Sequence, residues 1–185
     1  MRLVTGSDDP PAAIHGTTRL RKPRAGDAEA RFALGQDAQL LRMFGTDPTT
    51  LPEWTREEAL EWVIAVQNDA HGFVIEDVGD LAGKARLRTL DPQHRRAVLE
   101  LTLVDATKLD QGLIRRAVAL MLDYAFDTLD LHRVSLRCLE TNTRALACYE
   151  SSGFRREGVE REAICLGDMW HDVLLLAKLA RDHRP

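Results

Sequence analysis

No apolar run in this chain approaches the roughly 20 residues that a membrane-crossing helix needs. Nor is there a surplus of positive charge to hold nucleic acid or an anionic membrane, since the formal net charge is −4. The opening residues, Met1 to Gly6, lack the apolar stretch of a secretory signal. Cysteine is scarce: Cys138, Cys148 and Cys165 are odd in number, sit in apolar patterns and have no zinc-ligand spacing. They read as reduced core residues and, with the missing signal, place the protein in the cytoplasm. Internal repeats, low-complexity tracts and the G-x-S-x-G elbow of a serine hydrolase are also missing. What remains is an ordinary globular balance, 44% hydrophobic and 29% charged, in a 185-residue chain long enough for one well-filled domain.

Patterning along the chain predicts its elements. Residues 1–16, containing Ser7-Asp8-Asp9-Pro10-Pro11, read as a flexible leader, and 17–185 as a single domain. Residues 17–22 alternate weakly, as a first strand would. Asp27 is placed to cap a helix from Ala28, whose apolar residues lead on to Leu40, Leu41 and Met43. Thr55 and Glu58 form a capping-box pattern before a helical face of Ala59, Trp62, Val63 and Val66. Three strands follow, at 72–78, 81–90 and 97–104. A long helix spans 112–129, with Ile114, Ala117, Val118, Met121 and Ala125 at helical spacing. Then come a strand at 133–139, a short helix at 142–152 closed by Gly153, and a hairpin of 154–166 and 169–179 turning at Gly167-Asp168. The crossover from residue 98 to residue 139 predicts two parallel, adjacent strands.

The segment 131–176 carries the most chemistry. Asn142 is followed seven residues on by Tyr149, then by Gly153-Phe154, Glu157-Gly158, Arg161-Glu162 and His171-Asp172-Val173. This order resembles the GNAT superfamily of acyl-CoA-dependent N-acyltransferases, in the branch that includes the ribosomal-protein N-terminal acetyltransferases. The resemblance implies an α/β (α+β) fold: a single mixed, mostly antiparallel central sheet with a parallel strand pair at its centre, flanked by helices. It implies acetyl-CoA as co-substrate, another acyl-CoA being an alternative, and a primary amine as acceptor. That acceptor is a protein N-terminus or a small amine such as an amino acid, antibiotic or polyamine. Two other readings stay open: succinyl-CoA as donor, or a non-catalytic ligand-binding module on the same fold. Monomer and homodimer are both compatible, and no metal, nucleic-acid or membrane partner is expected.

Site residues follow from the same comparison. Tyr149 corresponds to the phenol that protonates the departing thiolate, being protonated at neutral pH with a reference pKa near ~10; the alternative is an aromatic packed under the sheet. Asn142 is a helix cap that also lies near the pantetheine arm, with Ala145 one turn on. His171 and Asp172, adjacent on a strand, point to opposite faces and cannot form a dyad. The family's pyrophosphate loop corresponds to the stretch that opens the long helix. Gly112 matches its central glycine and Ala117 a small helical residue, while Leu109 and Ile114 depart from the pattern. The amides of Leu113, Ile114, Arg115, Arg116 and Ala117 remain to cradle phosphate, with charge from the two arginines. Asp105 belongs to the same loop, and the backbone of Leu103 and Val104 is placed to polarise the thioester oxygen. Glu100, mid-strand among apolar residues, is the favoured base for the acceptor amine; the competing reading is an ion pair with Arg86 or Arg88. Acceptor recognition falls to the region before Gly72, with Phe44, Trp54 and Trp62, and an apolar pocket lined by Trp54 and Trp170 is a further expectation.

Overall fold

The computed structural model describes residues 14–183, so the proposed leader lies outside the described residues as far as residue 13. Its last part belongs to the sheet: β1 (Ile14–His15) pairs antiparallel with β2 (Thr18–Arg21). Six more strands follow, β3 (Gly72–Asp77), β4 (Asp80–Asp91), β5 (Arg96–Leu103), β6 (Arg133–Leu139), β7 (Arg155–Leu166) and β8 (Met169–Leu179). They form one sheet in the order β1-β2-β3-β4-β5-β6-β8-β7. Every neighbouring pair runs antiparallel except β5 and β6, which are parallel as the crossover predicts.

Alternation decides what each face of the sheet presents. Ala97, Leu99, Leu101 and Leu103 of β5 are buried, and they share a core with Leu113, Ala117, Val118 and Met121 of α4 (Leu113–Asp123). Burying each of the larger side chains contributes about 1.5–3 kcal/mol, so this layer fixes α4 against the centre of the sheet. Val98, Glu100 and Thr102 point the other way, beside Lys84, Arg86 and Arg88 of β4. That second face is covered over Val74, Leu81 and Val104 by α1 (Asp27–Leu34) and α3 (Arg56–Gln67). The polar half of each strand repeat thus faces a region only partly roofed.

Local signals explain most helix ends. Thr55 and Glu58 form the expected capping box on α3. Asn142 caps α5 (Thr143–Ser151), and Gly153 follows at φ 88. The cap expected at Asp27 is different: Gly26 occupies that position, and the Asp27 carboxylate grips Arg21 through two bonds of 2.7 and 2.8 Å. A bidentate, charge-assisted contact is stronger than a cap, which accounts for the change. The long helix predicted to residue 129 changes pitch at Tyr124 into a π turn through Thr128, marked by Leu129 N–H donating to Tyr124 O at 3.0 Å. Of the three cysteines, Cys138 is buried and Cys148 half-buried, but Cys165 is exposed on β7 and not in the core.

Candidate active site

Pairing between β5 and β6 runs from Arg96–Arg133 to Val98–Ser135 and stops. Each strand stays bonded to its outer neighbour, β5 to β4 as far as Leu103–Gly83 and β6 to β8 as far as Leu139–Val173. The two therefore part like the arms of a V. A cavity of about 270 Å³ occupies the fork, lined by Glu100 and Thr102 of β5, Cys138 of β6, and Asn142, Ala145 and Tyr149 of α5. Met43 and Phe44, at the end of α2 (Ala38–Met43), close it on a further side.

Tyr149 is 7% exposed and lies edge-on to Phe154. Burial above all, with the neighbouring thiols of Cys138 and Cys148, pushes its phenol up, so it stays protonated at any physiological pH. No hydrogen bond engages its hydroxyl among the described residues, although it lines the fork. It is an uncommitted acid. Asn142 is engaged at both ends: its Oδ1 accepts from Ala145 N at 3.2 Å, and its Nδ2 donates to Met43 O at 2.9 Å. It thereby pins the end of α2 to the start of α5, across one wall of the cavity.

Glu100 lines the fork, and of its two expected readings the structure has the ion pair. Arg86 Nε donates to its Oε2 at 2.8 Å and Arg88 Nη1 to its Oε1 at 3.2 Å, with the side chain 40% exposed. The apolar burial inferred from its strand neighbours is corrected by the sheet register: β4 sets two arginines directly beside it. The carboxylate faces the fork as an ion-paired anion.

A second cavity of about 280 Å³ opens at the N-terminus of α4 and is walled on one side by Arg144, Ala147, Cys148 and Ser151 of α5. Gly112 takes the left-handed conformation at φ 70, turning the chain into α4 with no side-chain cap. The amides of Leu113, Ile114 and Arg115 have no partner among the described residues, so three N–H groups remain open beside this cavity. Lys108, Arg115 and Arg144 bring positive charge to its rim, where Asp110 also sits, 3.1 Å from Arg144; Lys108 lies 3.9 Å from Asp77 and from Asp80. An adjoining hollow adds Arg116 and Lys178 and shares Gly112, Arg115 and Ser151 with it. Open helix amides ringed by cations fit a phosphate-bearing group such as the pyrophosphate of coenzyme A. Leu109 and Ile114, the two departures noted in the sequence of this loop, line the cavity and also pack partly against the core.

Four expected cofactor contacts are placed otherwise. Ala117 is fully buried in the core. The Asp105 carboxylate is held by Thr107, at 2.9 Å from its N and 2.6 Å from its Oγ1. Val104 N–H donates to Ala82 O at 2.9 Å and so is not free to polarise a carbonyl. Arg116 turns back to Thr18 Oγ1 at 2.7 Å and to the buried Asp77 at 3.2 Å, because an interior carboxylate holds a guanidinium more firmly than solvent does. Leu103, at the end of β5, touches the α4 cavity. Trp170 does not share a pocket with Trp54: it is 62% exposed on the hairpin. His171 and Asp172 are separately engaged, His171 facing Glu140 at 3.8 Å and Asp172 accepting from Glu162 N at 2.8 Å.

The forked parallel pair, the uncapped glycine-led helix and the phenol on the following short helix all lie within residues 96–149. The sequence profile of the Acetyltransferase (GNAT) domain matches residues 18–155, three quarters of the chain. This chain belongs to the GNAT acetyltransferase family. The GNAT N-acetyltransferase is 26% identical over 178 residues to YdaF of Bacillus subtilis (strain 168), a protein provisionally named a ribosomal N-acetyltransferase; the match covers 91% of this chain and 93% of that protein. Spermidine N(1)-acetyltransferase of Escherichia coli (strain K12) is 34% identical over 86 residues, 46% of either chain. Among solved structures, spermidine N-acetyltransferase from Vibrio cholerae in complex with CoA and spermine shares the fold at a TM-score of 0.76 and 24% identity, over 91% of this chain and 99% of that one. The microcin C7 self-immunity acetyltransferase MccE, in complex with acetyl-CoA and AMP, also reaches 0.76, at 18% identity, over 91% and 97%.

Sequence reasoning missed Lys108 and Arg144 at the α4 cavity and Met43 at the fork, whereas Phe44, expected near the acceptor, does line the fork. Those contacts come from elements far apart in sequence. One signal was available: Lys84, Arg86 and Arg88 alternate along β4, which marks one face of that strand as basic.

Proposed function

We propose that this enzyme transfers an acetyl group from acetyl-CoA to a primary amine by direct attack within a ternary complex. The observation that carries the reading is the fork between β5 and β6, where an uncommitted phenol and an anionic carboxylate line one cavity beside a helix end with open amides. Acetyl-CoA, when bound, supplies a thioester. Leu113, Ile114 and Arg115 would hold its phosphates through their N–H groups, and Lys108, Arg115 and Arg144 would add charge. Glu100 accepts the proton that the acceptor ammonium must lose, through a water, since its oxygens already face arginines; an α-amine has a reference pKa near ~8. As the N–C bond forms and the C–S bond breaks, the nitrogen would shed its second proton to water, while Tyr149 would give its proton to the departing sulfur and later be reprotonated from solvent. Asn142 keeps α2 and α5 together around these groups.

Thermal unfolding with acetyl-CoA, succinyl-CoA and free CoA tests the first half of this reading. Saturation at a hundred times the dissociation constant stabilises the fold by about 2.7 kcal/mol. The expected result is a rise in Tm with acetyl-CoA, together with CoA release that depends on an added primary amine. No shift with any of the three compounds overturns the proposal, and a shift with succinyl-CoA alone reassigns the donor.

A further inference from the structure

A third cavity, of about 410 Å³, lies beside the fork and shares two of its wall residues, Phe44 and Thr102. It adds Arg31 of α1, Trp54, Trp62 of α3 and Lys84 of β4. Arg31 is only 7% exposed. Its Nη1 donates to Gly35 O at 2.6 Å, and its guanidinium stacks 4.1 Å from the Trp54 ring centre, 5.8 Å from that of Trp62. Its Nε has no hydrogen-bond partner among the described residues, and neither has Trp54 Nε1, although both atoms are buried. Lys84 Nζ lies 5.3 Å from the Trp62 ring centre on the same cavity wall. No carboxylate pairs with Arg31 or Lys84 among the described residues.

The nearby acids are already engaged. Glu100 is held by Arg86 and Arg88, and Asp37, also on the cavity wall, accepts from Leu40 N at 2.9 Å as the cap of α2. Burial depresses both cations, Arg31 to about 10, so that Arg31 remains charged at neutral pH. Two cations without a partner carboxylate among the described residues, on one small cavity wall, form a pair that a single anionic group satisfies, and the unpartnered Arg31 Nε and Trp54 Nε1 buried beside it add to the surplus of donors. A carboxylate offers two oxygens with about four lone-pair sites, which matches this surplus of donors. A polyamine brings only further positive charge, and like charges brought together at a dry site are strongly disfavoured.

We infer that the acceptor is a small amine that also carries a carboxylate, which Arg31, Lys84 and Trp54 hold while the amine reaches past Phe44 and Thr102 into the fork. This assignment rests on the transfer reaction proposed above and names its substrate class. The depth of Arg31 favours a small molecule over a polypeptide, whose chain must leave the cavity.

The test separates binding from turnover. N-acetyl amino acids stand for the product and need no chemistry to bind; Trp54 and Trp62 report them by intrinsic fluorescence. Across a panel of N-acetyl amino acids titrated against their matching amides, at least one acid is expected to bind tenfold or more tightly than its amide. Lys84→Met, on the partly exposed wall, should weaken that acid about tenfold and leave its amide unchanged; Arg31→Lys should restore more binding than Arg31→Met. Equal binding of acids and amides throughout, or no effect of Lys84→Met, overturns the inference. So does a kcat/KM for spermidine, or for peptides with an acidic first residue, above that of every free amino acid. Tight acid binding without acetyl transfer to any amine counts against the transfer reaction alone.

Discussion

The proposed cofactor end and the proposed acceptor end of the fork supply donors of different kinds. At the α4 end they belong mainly to the backbone: three open amides follow Gly112, joined by the side chain of Arg115, while Arg144 pairs with Asp110, Lys108 with Asp77 and Asp80, and Arg116 with Asp77. At the other end they belong to side chains, Arg31, Trp54 and Lys84, which have no counter-anion among the described residues. A backbone amide survives almost any substitution, so the first end can keep its chemistry while losing signature residues. A side-chain donor disappears with one substitution, so the second end can change its ligand easily. Leu109 and Ile114 illustrate the first case and the basic stripe of β4 the second.

In the proposed mechanism Tyr149 serves only the chemical step, so removing its hydroxyl makes the sharpest division. Tyr149→Phe leaves the fold intact, because that hydroxyl bonds to nothing among the described residues and the ring keeps its place beside Phe154. Losing a positioned general acid costs roughly 100-fold in kcat. The Tm shift with acetyl-CoA should stay as in the parent, since neither end has been touched. A kcat within threefold of the parent removes Tyr149 from the mechanism.

Arg115 should show a smaller effect at the cofactor end alone. It reaches both the α4 cavity and the adjoining hollow, and no ion pair restrains it among the described residues. Arg115→Ala keeps the amide of that residue but removes its charge, so the dissociation constant for acetyl-CoA should rise about tenfold, equivalent to about 1.4 kcal/mol. The dependence on salt should flatten as well, because a partly exposed charge is screened. Equilibrium titration at two ionic strengths checks both effects, and unchanged affinity would move the phosphates elsewhere.

How much of this was legible in the sequence depended on the range of the interaction. The capping box at Thr55, the Asn142 cap and the turn at Gly153 are local, and the structure has them where the pattern put them. The parallel pair followed from the crossover rule, and the fork it produces brings Tyr149 and Glu100 to one cavity. Long-range pairing was not readable. Arg116 looked like a phosphate ligand until Thr18 and Asp77, from strands β2 and β3, claimed it. For Glu100 the sequence left two readings, apolar burial or a pair with Arg86 or Arg88, and only the register of β4 decides for the pair. Arg31 gave no sequence signal at all: an arginine in a short helix is ordinarily solvated, and only the folded chain closes Trp54 over it.

Leu109→Gln gives the smallest expected effect and bears most directly on the contrast between the two ends. It restores a polar side chain at the position where the family's loop carries one. If side chains governed phosphate binding, affinity for acetyl-CoA should improve tenfold or more. If the amides of Leu113, Ile114 and Arg115 do that work, the added amide group competes with water for a modest hydrogen bond, of about 0.5–1.5 kcal/mol at best. It also gives up the apolar contact that Leu109 now makes with the core. The two contributions are of similar size and opposite sign. The dissociation constant should therefore change by less than about threefold, with a slightly lower Tm for the free protein. A tenfold gain in calorimetric titration would show that the loop's side chains, and not its backbone, set the strength of this end of the site.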